Sequence, residues 1–559
     1  MKKRLLAIIA GLMAVCMMLS ACAPVGSNNT EEPSGDGTET GDTSEKVIRF
    51  SIAAEPPTMD PQIKTASPMA AVATHVYEGL VRVFDGEIKP GMAESWEISE
   101  DGLTYTFHIR DEAKWSDGQK LTANDFEYAF HRLLDPAVGS EFAYLAYDIV
   151  GAEDFNAGTT TDWSTVGVKA TDEQTLVITL RNPVSYFLSF MDFTLYSPTR
   201  QDMVEAAGAS YGSEAEYQAY NGPYVLESWE HDSKLVLVKN PEYWDAENIT
   251  TDRIEVYVVL DANTGVAMYD AGDLDITDVP KDLIPAYDTK VFSDGGEYFI
   301  MANWHGMTEE TGKLLSNPNF MKAIGYGIDR TAFIAATLGD ATQPATRYNL
   351  PLLNIIDNAE GKQVNFNENY PLEAYPATAD LEKAQEYLDL ALEETGFTRE
   401  TMPTFVYACR DADSNRLMAE ALQDMLKTNL GINIDIQQME YKQWLEIINQ
   451  HEYDLTLYGW GPDYDDPMTY MDLWMQKPGG NMANYDNPEY TELIEFAKNT
   501  TDAKARADAL YEAEQILLDG GPIVPVYFKY VAYVQNPDIG NIDRPFIGGQ
   551  PKCMYATFN

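Results

Sequence analysis

The chain has 559 residues, with 38 Lys+Arg against 89 Asp+Glu and a formal net charge of −51. Hydrophobic residues make up 45% and charged residues 23%, a globular composition and not that of a disordered polyanion; the length corresponds to about three to five folding units. So acidic a surface repels phosphate backbones, and no run of Lys or Arg offsets it, which argues against a nucleic-acid partner.

In chain order, Lys2, Lys3 and Arg4 form a positive start, and Leu5 to Leu19 is a 15-residue apolar stretch. That is short of the roughly 20 residues a membrane span needs, and it fits a secretory signal. It ends Leu19-Ser20-Ala21-Cys22, which resembles a bacterial lipobox, where cleavage precedes a lipid-bearing Cys22. The alternative is an ordinary signal peptide cut at a small-residue site. Residues 1–21 are then the signal, and 22–46, rich in Gly, Ser, Thr, Asn and acids, cannot bury a core and read as a flexible tether. No other segment reaches transmembrane length. Cys409 and Cys553 remain for the folded body, where they either pair in an exocytoplasmic compartment or stay two buried thiols. No CxxC or Cys/His cluster suggests zinc.

Val47–Ile52 alternates as a strand does until Glu55-Pro-Pro-Thr-Met-Asp-Pro61 breaks it, and a helical stretch follows, ending near Tyr77–Leu80. Ser95 to Arg110 predicts a hairpin turning at Glu100-Asp-Gly102. Thr122-Ala-Asn-Asp125 is an N-cap region for a helix carrying Phe126, Tyr128, Ala129 and Phe130. Strands are predicted over Thr175–Leu180, Leu235–Lys239, Thr404–Tyr407 and Ile432–Ile436, with helices over Leu381–Glu394 and Arg416–Lys427. The strand–helix alternation of the last third indicates an α/β domain.

Three neighbourhoods then point one way. The first is Ala93-Glu-Ser-Trp96, Thr104–Arg110, Lys114-Trp-Ser-Asp-Gly118 and Leu121–Phe126. The second is Asn221-Gly-Pro-Tyr224 with Lys239-Asn-Pro-Glu-Tyr-Trp244, and the third is Tyr458-Gly-Trp-Gly-Pro-Asp-Tyr-Asp-Asp-Pro467 with Ile523-Val-Pro-Val-Tyr527. Together, co-linear from about Val47 to about Tyr530, they resemble the extracellular solute-binding proteins of peptide ABC importers, the oligopeptide- and dipeptide-binding family. The resemblance implies an α/β, two-lobed clamp of the periplasmic-binding-protein kind with an additional inserted domain. Lobe I would comprise 47–77 with 222–296 and 528–559, the extra domain 78–221, and lobe II 297–527, with ligand closing the lobes. It also implies a monomeric, cofactor-free binding protein outside the cytoplasm, held to the bilayer through Cys22, whose partners are a peptide and ABC permease subunits.

A peptide presents a repeating backbone, read by strand-like pairing, and a cationic α-amino group whose buried partner should be a carboxylate. Asp463, three residues after Trp460, lies where the family's amine-binding aspartate lies. Gly459 and Gly461 would let backbone approach the ligand closely. Trp460, Tyr441, Phe142 and Tyr527 fall at or near the family's pocket walls, and Asn449 joins the candidate set on the same resemblance. The plain alternative for Asp463 is a solvated acidic turn, or a cap on a helix starting near Pro467. Ile448 and Leu457 stand where family arginines meet the ligand's carboxylate, so that end is left to another cation, to water or to nothing. Gly461 also stands where some relatives carry a cysteine.

Other functions have weaker support. Gly208-Ala-Ser210-Tyr-Gly212 matches GxSxG, but a helix and not a strand is predicted before Ser210. His451-Glu452 lacks the second histidine of HExxH, and Asp411, Asp413 and Asn415 lack the Gly and Glu of a calcium loop. The sequence therefore predicts no catalysis and no metal site, with an oligosaccharide-binding protein or a secreted hydrolase using Ser210 as the alternatives.

Overall fold

The computed structural model describes residues 45–63, 67–84, 87–356, 363–476 and 481–559. The proposed signal, Cys22 and all but the last two residues of the tether lie outside these.

The dominant element is one mixed sheet of eleven strands. Its order is Asn433–Met439, Thr404–Arg410, Leu455–Trp460, Lys290–Ala302, Ile523–Gln535, Ile276–Asp278, Val47–Ile52, Arg253–Val258, Lys234–Lys239 and Tyr224–Glu230, with short Gln343–Pro344 also on Ile523–Gln535. At one end Thr404–Arg410 runs parallel to both its neighbours. Parallel neighbours need crossovers, and the helices Asp413–Leu430 and Tyr441–Gln450 supply them. Met418, Leu422, Leu426 and Leu430 recur every fourth residue along the first, forming its buried stripe, and Gly431 in the left-handed region (φ 71°) ends it.

A separate antiparallel sheet of four strands, Ala93–Ile98, Thr104–Ile109, Thr175–Thr179 and Val168–Ala170 in spatial order, contains the predicted hairpin. The helix Ala123–Leu134 covers it with Phe126 and Phe130. It begins at a capping box in which Thr122 and Asp125 satisfy each other's backbone N–H groups.

Two 13-residue strands, Lys290–Ala302 and Ile523–Gln535, pair antiparallel at the centre of the large sheet. Their register breaks between Ser293 and Glu297, leaving Asp294, Gly295 and Gly296 out of the ladder. Before the break Lys290–Ser293 faces Tyr530–Tyr533; after it, Glu297–Met301 faces Ile523–Phe528. The faces of the later segment belong to different cores. Phe299 joins Tyr348, Tyr458 and Trp474, whereas Ile300 joins the cluster of Phe320, Leu388, Leu422 and Tyr527. Cys409 and Cys553 are both free and buried.

The sequence reading did not anticipate the Lys290–Ala302 strand, because Ser293-Asp-Gly-Gly-Glu297 carries turn residues. The bulge uses them: Gly295 has φ +79°, and a Cβ there would come within 2.6 Å of the Phe546 carbonyl and of Pro462. Gly295→Ala is expected to cost about 1–3 kcal/mol through strain and overpacking, seen as a lower urea midpoint at unchanged m-value.

Candidate functional site

Leu455–Trp460 and Thr404–Arg410 are parallel, so the loop after Trp460 leaves from the carboxyl edge of that part of the sheet, where open α/β sheets bind ligands. The loop's side chains divide. Tyr464 turns inward, stacked on Tyr186 at 4.0 Å between ring centroids and edge-on to Phe190 at 4.9 Å. Asp466 is buried and forms two 2.8 Å bonds with the buried Arg506; its Oδ1 also accepts the Met468 N–H at the start of the helix Met468–Met471. Asp465 accepts both the backbone N–H and the Nδ2 of Asn354 at 2.7 Å. Asp463 donates its backbone N–H to Thr469 Oγ1 at 2.9 Å, and among the described residues no cation pairs with its carboxylate. The capping role open to Asp463 in the sequence thus falls to Asp466.

Asp463, Tyr464 and Asp465 line a cavity of about 490 Å³. Its other walls come from the helix Ser67–Val76, from 189–194, from Val291–Ser293 and Tyr530 of the long strand pair, and from 543–552. Much of the lining is apolar, including Phe190, Phe193, Phe292 and Phe546. The cations in the wall are engaged. Lys552 donates to the Val83 carbonyl and lies 3.6 Å from Asp192, and Arg544 lies 3.7 Å over the Phe292 ring and reaches Asp278 at 3.3 Å.

Burial, reinforced by the negative charge of Asp472, raises the Asp463 carboxyl to about 6. Burial raises Asp465 likewise to about 6 against its Asn354 bonds. Glu297, opposite Trp460 in the ladder, is fully buried, and burial with the nearby Glu514 pushes its carboxyl well above the usual carboxylate range. Asp463 is therefore a carboxylate that ionises at neutral pH, at the edge of an apolar cavity, with no cation paired to it among the described residues.

The other predicted residues scatter around this point. Gly461 is exposed, with open space where a Cβ would be. Gly459 is different: the Tyr298 ring already fills that space, 2.5 Å from an added Cβ, so its missing side chain admits a protein ring and not a ligand. Trp460 is partly buried, and its Nε1 has no hydrogen-bond partner among the described residues. Tyr527 is 2% exposed, stacked on Tyr298 at 4.5 Å in the core and away from the cavity wall. Tyr441 and Asn449 are exposed on the helix Tyr441–Gln450, Tyr441 stacked on Trp444. Phe142 is partly buried beside Tyr144, which lines a separate, more polar pocket with Asp148, Asp472 and Lys498. Reasoning from sequence missed Asp465 and the 543–552 wall, for which no local pattern gave a signal. Ser210 is exposed in a turn after the helix Gln201–Ala207, without the strand–serine–helix arrangement GxSxG requires. Among the described residues no group of three or more His, Cys, Asp or Glu could hold a metal.

Three comparisons match this architecture. A model of the bacterial extracellular solute-binding proteins, family 5 Middle, matches residues 87–482. The chain is 31% identical over 556 residues to the oligopeptide-binding protein OppA of Bacillus subtilis (strain 168), covering 98% of each. It superposes with a TM-score of 0.70 on the substrate-binding domain of an oligopeptide ABC transporter from Bacillus anthracis, at 31% identity over 92% of this chain and 99% of that one. Listeria monocytogenes OppA bound to peptide gives the same TM-score at 27% identity, with the same two coverages.

A raised carboxylate pKa disfavours the ionised folded state, so this group's contribution to stability falls as pH rises from about 4 to about 6. Asp463→Asn is expected to stabilise the ligand-free protein by on the order of 2–3 kcal/mol at pH 7.5, shrinking towards zero near pH 4, read by thermal or urea unfolding at the two pH values.

Proposed function

The chain belongs to the bacterial extracellular solute-binding proteins of family 5, and from that membership we propose that it captures peptides outside the cytoplasm and delivers them to an ABC importer. One observation carries the peptide assignment: the unpaired Asp463 carboxylate on the wall of the 490 Å³ cavity. A peptide's α-amino group is a cation below about pH 8, and a partly desolvated carboxylate is its natural partner. The exposed backbone at Gly461 is free to pair with the peptide main chain, and the apolar walls suit apolar side chains next to the amine. An oligosaccharide has no cation to offer Asp463, which makes it the poorer fit.

In this proposal lobe I (47–77, 222–296, 528–559) and lobe II (297–527) close about the bulge at 294–296, with 78–221 as the added domain. Cys22 anchors the protein to the cell membrane by lipid, and 23–46 tethers the body to it. The protein binds without catalysis.

Calorimetric titration with one tripeptide, free and N-acetylated, tests the amine assignment. The wild type should prefer the free amine at least tenfold, and Asp463→Asn should lose that preference together with about 2–3 kcal/mol of binding energy. Equal binding of the two peptides by the wild type refutes it.

The pH profile carries a sign. Below about pH 6 the ligand-free Asp463 protonates, so affinity for the free peptide should fall, towards tenfold per unit, while the peptide amine stays charged. Asp465 titrates in the same range. The acid limb must therefore flatten in Asp463→Asn for the assignment to stand.

A further inference from the structure

Glu297 is the first residue after the register break in Lys290–Ala302, and it is fully buried. Among the described residues neither of its carboxyl oxygens has a hydrogen-bond partner. The polar groups around it are spent on one another. Arg347 donates to Glu514, from Nε at 3.1 Å and from Nη2, and to the Tyr370 carbonyl at 2.9 Å. Glu514, also fully buried, accepts in addition the backbone N–H groups of Tyr348 and Asn349. The Tyr470 hydroxyl donates to the Gly295 carbonyl at 2.7 Å. The Tyr348 hydroxyl donates to the Tyr470 carbonyl and accepts Trp474 Nε1. Across the ladder stand Phe528 on one side and Trp460 on the other, and Trp460 Nε1 is itself without a partner among the described residues.

Ionised, Glu297 would be a buried charge beside Glu514, while Arg347, the cation that acts on it, is already bound to Glu514. Burying an unpaired ion is far costlier than burying a neutral carboxyl. Burial and then the charge of Glu514 accordingly push the Glu297 carboxyl upward, against the attraction of Arg347. Asp294 and Asp463, which also act on Tyr470, add further negative charge.

Its position ties this group to the lobes. The boundary proposed above falls between Gly296 and Glu297, and Phe528, opposite Glu297, is where the returning strand re-enters lobe I. The Tyr470–Gly295 bond joins lobe II to the bulge two residues before Glu297.

We propose that Glu297 is a proton-carrying hinge group: protonated, it stays buried and the lobes keep the arrangement of this structure; ionised, it gives its proton to solvent and draws the crossing apart until water reaches the carboxylate. This rests on the lobe boundary above and not on the peptide assignment. The unfolded chain ionises Glu297 above about pH 4.3, whereas the folded chain keeps the proton to higher pH. The group's contribution to stability therefore becomes steadily less favourable as pH rises, by up to about tenfold in the unfolding constant per unit.

The test compares the wild type with Glu297→Gln, a neutral isostere, and with Glu297→Met. Infrared spectra at about pH 7.5 should show a protonated-carboxyl component in the wild type that both variants lack. From about pH 6 to about pH 9 the radius of gyration of the ligand-free wild type, from small-angle X-ray scattering, should rise while those of the variants stay constant. Their unfolding constants should also vary less with pH, by up to about tenfold per unit. Absence of the infrared difference overturns the proposal. A pH response shared by all three proteins overturns it as well, because the titrating group is then another one. A wild-type radius unchanged over the range overturns it without any variant. If the tripeptide titrated above still contracts the wild type in that case, this inference falls alone; if it does not, the lobe reading falls with it.

Discussion

Two long antiparallel strands, Lys290–Ala302 and Ile523–Gln535, carry one sheet through the molecule, and their pairing slips at Asp294-Gly295-Gly296. Strand pairing is strict because a one-residue slip turns every side chain to the opposite face. An interruption is tolerated here because Gly295 takes a left-handed backbone and presents no Cβ to Phe546 or Pro462. Pro462 precedes Asp463, and Phe546 lines the cavity, so the bulge touches both the loop that offers the carboxylate and the wall that faces it. The Gly295 carbonyl also accepts the Tyr470 hydroxyl at 2.7 Å. Backbone geometry in the middle of the sheet thus bears on the packing of the 463–466 loop and of the cavity wall at its edge.

The loop 463–466 shows how a short acidic run is divided among different partners. Four consecutive residues, three of them acids, would be unremarkable on a surface of 89 acids. Here Tyr464 is clamped by Tyr186, Asp466 by Arg506, and Asp465 holds Asn354. Removing Arg506 would leave Asp466 a buried unpaired charge, a loss of about 3–5 kcal/mol. These three attachments hold the loop against the body and leave Asp463 as the loop's carboxylate without a paired cation among the described residues. Its desolvation disfavours the charged form.

Much of the fold was legible in the chain because it rests on local periodicity. The hairpin at 95–110, the Thr122 capping box, the helices beginning near 381 and 413 and the strands around them follow from apolar spacing and capping residues. The central strand at 290–302 was not legible, since its Gly-Gly bulge reads locally as a turn and only the partner strand makes it a strand. Asp463, singled out from its motif, lines the cavity, whereas Tyr527, expected at a pocket wall, does not. Gly459 is why: with no side chain there, Tyr298 lies flat between it and Tyr527, closing the ring into the core. Tyr441 and Asn449 face outward because their helix buries Trp444 and Ile448 instead.

The sequence by itself determined the class of protein, the acidic character that argues against phosphate partners, and the carboxylate proposed to meet an amine, because each is written in composition or in a contiguous motif. Only the tertiary structure decided which carboxylates of the 463–466 loop are already held by other side chains and which is left over. Pairing is a property of residues distant in the chain, Asp466 with Arg506 or Asp465 with Asn354, and no local pattern encodes it. The same holds for the protonation of Asp463, which depends on what buries it and on the charge of Asp472 beside it.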